Sequence, residues 1–132
     1  MRILIIEDEP ISAMLMEQVL IEAGHQVVGP VRDTLGAVAC LNGSVPDLAL
    51  VDINLPGEEK GTDLARYLSR RWKVPSLFVS AQTLEARANT DAALGLLVKP
   101  YLPERLVEAV GVIAAMRSGQ SPDRLPPGLE LF

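Results

Sequence analysis

Short apolar runs alternate with longer amphipathic stretches along nearly the whole chain, and few folds accommodate that rhythm. Ile3 to Ile6 is the first such run, followed by a helical pattern that Pro10 opens and Gly24 stops. Ile11, Leu15 and Val19 are spaced to share one helical face, with Met16 and Leu20 beside it. Val27-Val28 marks a second strand, and Asp33 or Thr34 can cap a helix running to Leu41. Leu48 to Val51 predicts a third strand, Leu55-Pro56-Gly57 a turn, and Leu64, Leu68 and Trp72 one stripe of a third helix after Gly61. Pro75 introduces a fourth strand at Leu77 to Val79, then an Ala- and Thr-rich helix between Leu84 and Ala93. A fifth strand at Leu96 to Val98 precedes a last helix that Pro103 opens, with Leu106, Val110 and Ile113 spaced for burial.

Five strands alternating with five helices predict a doubly wound α/β domain with a parallel sheet. Strands buried on both faces read as continuous apolar runs, and most of these do. The expected domain covers residues 1–118. Residues 119–132 contain Gly119-Gln120-Ser121-Pro122 and Pro126-Pro127-Gly128, which cannot continue a helix, and read as a linker or an extended arm. Leu129-Glu130-Leu131-Phe132 is apolar for a solvated tail and is expected either to stay free or to dock, on its own domain or on a partner.

Composition excludes several functions. The formal net charge of −5, with no basic stripe, argues against a nucleic-acid reader, whose affinity rests on phosphate neutralisation. No stretch approaches the roughly 18–20 apolar residues of a membrane span, and the N-terminal apolar run is too short for a secretion signal. Cys40, the only cysteine, has no partner for an internal disulfide. A cytoplasmic protein without membrane or nucleic-acid partners is the expectation.

The chemistry gathers at one edge. Glu7 and Asp8 follow the first strand, Asp52 the third, Ser80 the fourth and Lys99 the fifth. In open α/β sheets, ligands bind outside the carboxyl ends of the strands. Three carboxylates against one ammonium leave a formal −2. Two carboxylates about 4 Å apart repel by about 4 kcal/mol at an effective dielectric near 20. Such a cluster either raises a pKa or holds a cation, and an all-oxygen donor set favours Mg2+ or Mn2+. Acids at strand ends also serve as helix N-terminal charges, which alone would account for Glu7, Asp8 and Glu9. The additional presence of Asp52, Ser80 and Lys99 favours a site.

Four pieces, Ile-Glu-Asp-Glu-Pro (6–10), Leu-Val-Asp-Ile-Asn-Leu-Pro (50–56), Val-Ser-Ala (79–81) and Val-Lys-Pro (98–100), give the chain its resemblance to the receiver domain of two-component response regulators, of single-domain type. The resemblance implies a flavodoxin-like sheet of order 2-1-3-4-5. It implies that Asp52 accepts a phosphoryl group from a histidine kinase or phosphotransfer protein in a phosphorelay. Asp8, Asp52 and the Asn54 carbonyl would bind Mg2+, with Glu7 acting through water, while Ser80 and Lys99 would hold phosphoryl oxygens. A cis peptide at Lys99-Pro100 follows from the same likeness, and Asn54 and Gln82 would tune the phosphate lifetime. Output would be a protein contact with a downstream protein, a homodimer among the options.

The chain departs from that pattern in two places. Leu96 stands where the family usually has an aromatic switch residue, which leaves Tyr101 as another lever. The loop from Asp52 to Gly61 is one residue longer than its commonest form, through Gly57-Glu58-Glu59-Lys60. The alternative reading is a Mg2+-dependent phosphatase with an aspartate nucleophile. Such enzymes place a second acid two residues later, where this chain has Asn54. A flavin-binding protein is disfavoured because no Gly/Ser/Thr-rich loop follows the first strand. The expected protein is therefore a switch rather than an enzyme, catalysing only its own phosphoryl transfer and dephosphorylation.

Overall fold

A computed structural model describes residues 1–132. Its strands are β1 (Arg2–Ile6), β2 (Gln26–Val31), β3 (Leu48–Val51), β4 (Ser76–Ser80), β5 (Gly95–Val98) and β6 (Leu129–Leu131). The helices are α1 (Pro10–Glu22), α2 (Thr34–Ala39), α3 (Gly61–Trp72), α4 (Thr83–Arg87) and α5 (Pro103–Arg117). The sheet order is β2-β1-β3-β4-β5-β6, and every neighbouring pair is parallel except β5 with β6. The five-strand order 2-1-3-4-5 is thus present, extended by one short antiparallel strand.

The strand period of two divides the interior into two cores. Ile3 and Ile5 of β1 pack toward Met16 and Leu20 of α1 and Leu106, Val110 and Ile113 of α5. Leu4 and Ile6 point the other way, toward Leu64, Ala65 and Leu68 of α3 and Ala86 of α4. β1 beyond Arg2, β3 and β4 are buried, as a sheet covered by helices on both faces requires. No helix is long and apolar enough to cross a membrane.

Several elements differ from their sequence reading. α1 buries Ala13, Met16 and Leu20, whereas Ile11 and Leu15, placed by spacing on the main stripe, are 64% and 46% exposed. The helix is apolar on more than one side, so periodicity could not say which row meets the sheet. α4 is five residues long and stops well short of Ala93. The Asn89 side chain donates to the Glu85 carbonyl at 2.7 Å, and Arg66 of α3 binds Asn89 and Asp91. These polar groups offer the backbone a turn in place of another helical turn.

The tail docks on its own domain. β6 pairs Leu129 with Leu97, Glu130 with Leu96 and Leu131 with Gly95. Trp72 packs partly buried against the α3 core with the Arg71 guanidinium over its ring, and Cys40 also lies against that core. His25 faces the N-terminal amine, and burial, with that charge second, holds its imidazole below the usual range.

Candidate functional site

Glu7 and Asp52 at the carboxyl edge are each placed by a backbone hydrogen bond that continues the sheet. The Glu7 N–H donates to the Val31 carbonyl of β2, and the Asp52 N–H donates to the Ile6 carbonyl of β1. The second of these bonds draws the ends of β1 and β3 together, and carboxylate oxygens of Glu7, Asp8 and Asp52 lie within 4.8 Å of one another. Glu7 and Asp52 are buried, at 4% and 9% exposure, and Asp8 is half-buried. Glu9, the third acid in the run, serves otherwise: its carboxylate caps α1, accepting from the Ile11 and Ser12 amides.

Lys99 closes the cluster from the end of β5. Its Nζ lies 2.7 Å from Glu7 Oε1 and 3.4 Å from Asp52 Oδ2. The cis peptide bond to Pro100 is present, and a second occurs at Gly29-Pro30. Beside Lys99, the Ser80 carbonyl accepts from the Lys99 N–H, and the buried Ser80 hydroxyl accepts from the Gln82 N–H at 3.0 Å. The Asn54 N–H donates to Asp52 Oδ1 at 3.2 Å, bringing the Asn54 backbone against that carboxylate.

The electrostatics follow from this crowding. Burial, and then its hydrogen bond to Asp52, pushes Glu7 up to about 7, even though Lys99 pulls it down. Burial lowers the Lys99 ammonium, but the hydrogen bond to Glu7 and the charges of Asp52 and Glu7 outweigh it and leave its pKa raised. Tyr101, half-buried beside the pocket, is pushed to about 12 by burial and by the Glu7 charge. One lysine is insufficient for three clustered acids, so the site stores repulsion that a divalent cation would relieve. The donors are all oxygen, which fits a hard ion. Asp8, Asp52 and Glu7 are the side chains that can hold it.

Gly61 fixes the approach of α3 to this site. Its N–H donates to the Ile53 carbonyl, and a Cβ there would sit 2.1 Å from the Asp52 carbonyl oxygen and 2.7 Å from Ile53 Cα. Gly61→Ala is expected to lower stability by about 2–3 kcal/mol, read as a lower urea midpoint, because backbone on both sides must move. An unchanged midpoint would show that the β3–α3 junction is looser than this contact requires.

Two features escaped sequence reasoning. Ile11, Ser12, Leu15 and Val19 of α1 line a groove of about 470 Å3 with Pro100 and Tyr101, and Lys99 lies at its border with the acidic cluster. Leu102, 62% exposed, follows directly after Tyr101. Only the rotation of α1 reveals this surface. The second is Lys60, in the lengthened loop, which reaches Glu85 of α4 at 3.1 Å and ties that loop to the far side of the site. Leu96, where an aromatic was expected, is fully buried among Phe78, Ala86 and Ala92.

A doubly wound sheet with clustered acids and a lysine at its carboxyl edge is the architecture of a receiver. A family model described as the response regulator receiver domain matches residues 3–111, and the chain belongs to that family. The transcriptional regulatory protein PdtaR of Mycobacterium tuberculosis is 31% identical over 112 residues, covering 83% of this chain and 54% of that protein. The phyllosphere-induced regulator PhyR of Methylorubrum extorquens is 40% identical over 104 residues, covering 76% of this chain and 39% of PhyR. The chain thus spans about half or less of these relatives. A CheY-like receiver domain structure from Methanospirillum hungatei superposes with a TM-score of 0.81 at 24% identity, over 89% of this chain and 96% of that one, a likeness of fold.

Proposed function

We propose that the protein is a phosphorylation-dependent switch of a two-component phosphorelay, with Asp52 as the acceptor. The observation that carries this reading is the buried Asp52 carboxylate held between Lys99 and the Glu7–Asp8 pair. A carboxylate placed beside a lysine and a metal-binding acid pair can attack phosphorus, and phosphoryl transfer requires positioning and charge neutralisation above all. An Asp52 carboxylate oxygen forms the new bond to phosphorus as the P–N bond of a donor phosphohistidine breaks. The donor imidazole keeps the electron pair and takes up a proton from solvent.

Mg2+, or Mn2+ in its place, would supply charge neutralisation of the phosphoryl oxygens when bound. Asp8, Asp52 and the Asn54 carbonyl would hold it, with Glu7 through water. Lys99 exchanges its contact with Glu7 for a phosphoryl oxygen, and the Ser80 hydroxyl donates to another. Asn54 and Gln82, on either side of that position, influence water access and so the lifetime of the acyl phosphate. The groove lined by Ile11, Leu15 and Tyr101 opens beside Lys99, where a histidine kinase or phosphotransfer protein delivering its phosphohistidine can bury apolar surface. The output is a contact with a downstream protein or a second copy, in the cytoplasm.

Incubation with a small-molecule phosphodonor and Mg2+ should add one phosphoryl group that hydroxylamine removes, as an acyl phosphate requires. A chain that stays unlabelled, or a label resistant to hydroxylamine, overturns the assignment.

A further inference from the structure

The C-terminal strand grips the two strands that carry the non-acidic groups of the site. β6 lies along β5, which ends at Lys99, and the Val98 N–H donates to the Gly128 carbonyl at 2.9 Å. The Phe132 ring meets Phe78 of β4 edge-on, with centroids 6.4 Å apart, and Phe78 lies two residues before Ser80. Phe132 also donates its N–H to the Leu94 carbonyl. Leu129 and Leu131 face the α1–α5 core, while Glu130 pairs with Arg87 of α4 on the other side. That ion pair is exposed on both partners and adds little. The hold comes from the strand pairing and from Leu129 and Phe132.

The fit is close. A Cβ on Gly95 would stand 2.3 Å from the Glu130 carbonyl oxygen, so β6 approaches β5 more nearly than any other residue at this position would permit. An edge strand is also a template for pairing, and β6 covers the edge that β5 would otherwise present.

We propose that residues 128–132 form a releasable edge strand, docked on β5 when the acidic pocket holds no phosphoryl group and weakened there when it does. This inference rests on the phosphoryl-acceptor reading of the pocket. Drawing Lys99 away from Glu7, and Ser80 toward the same ligand, shifts the carboxyl ends of β5 and β4 together. Those are the two strands that β6 and Phe132 are fitted against, and a close fit does not follow a shift gradually. The two equilibria are then linked, and the linkage is reciprocal: whatever loosens the strand tightens the pocket for its ligand by the same factor.

The probe is beryllofluoride with Mg2+, a phosphoryl mimic followed by 19F NMR, with amide hydrogen exchange measured on the full chain. Binding should speed exchange at the Phe132 and Val98 amides by at least tenfold. Gly95→Ala, which crowds Glu130 yet touches no pocket residue, should show fast exchange at both amides without the mimic and bind it at least fivefold more tightly. Phe132→Ala, which removes the ring from Phe78 and leaves β5 unsubstituted, should act in the same direction. A bound 19F signal with unchanged exchange overturns the releasable strand and leaves the acceptor reading intact, as do variants that bind the mimic no more tightly. Absence of any bound signal overturns the acceptor reading, and the releasable strand with it.

Discussion

Asp52→Asn is expected to abolish phosphorylation while leaving the fold at least as stable as before. The amide has nearly the shape of the carboxylate, and its oxygen can still accept the Asn54 N–H that now meets Asp52 Oδ1. What disappears is the proposed nucleophile and one negative charge. Asp52 raises the pKa of Glu7, through a hydrogen bond and through its charge, so its neutralisation relieves Glu7 and leaves Lys99 paired with it at 2.7 Å. The expected result is complete loss of labelling by a phosphodonor, with a circular dichroism spectrum unchanged and a melting temperature equal to or above the parent's. Persistent labelling would move the acceptor elsewhere. Lost labelling with a collapsed fold would show that Asp52 is needed structurally and would leave the chemistry to be tested by the mimic.

Mg2+ should stabilise the protein markedly, and more so at pH 7.5 than at pH 5.5. A ligand confined to the folded state at a hundred times its Kd contributes about 2.7 kcal/mol, or roughly 8–10 °C in Tm for a chain of this size. The pH dependence comes from Glu7, pushed to about 7 by burial and its contact with Asp52. Below that value the pocket carries a proton that the cation must displace, so affinity for Mg2+ should fall by up to about tenfold per pH unit.

Without the ion the sign reverses. Between the ordinary Glu value and about 7 the folded state binds a proton that the unfolded state has already lost, so stability falls as pH rises through that window. Glu7→Gln should flatten both dependences. Equal Tm gains from Mg2+ at the two pH values would mean that Glu7 is ionised throughout and that Lys99 compensates it fully.

The doubly wound architecture was legible because a strand buried on both faces leaves a mark that local sequence carries: a short apolar run, such as Ile3 to Ile6 or Leu48 to Val51, between helical periods. The positions of Glu7, Asp8, Asp52, Ser80 and Lys99 were legible for the same reason, since parallel strands deliver their carboxyl ends to one edge. Local sequence said less about α1, where Ile11, Leu15 and Met16 are equally apolar and only packing against β1 and α5 selects the buried row. It said less again about α4, which Asn89 and the reach of Arg66 from α3 shorten.

The alternation of strands and helices and the edge chemistry thus belong to the sequence alone, written in runs and spacings that any chain with this pattern would share. The groove on α1, the pairing of Lys99 with Glu7, and the C-terminal strand were decided only in the tertiary structure. Each depends on residues far apart in the chain, 92 positions apart for Glu7 and Lys99. The sheet brings such residues together, and their preference for one another is a matter of shape and charge that neither partner carries by itself.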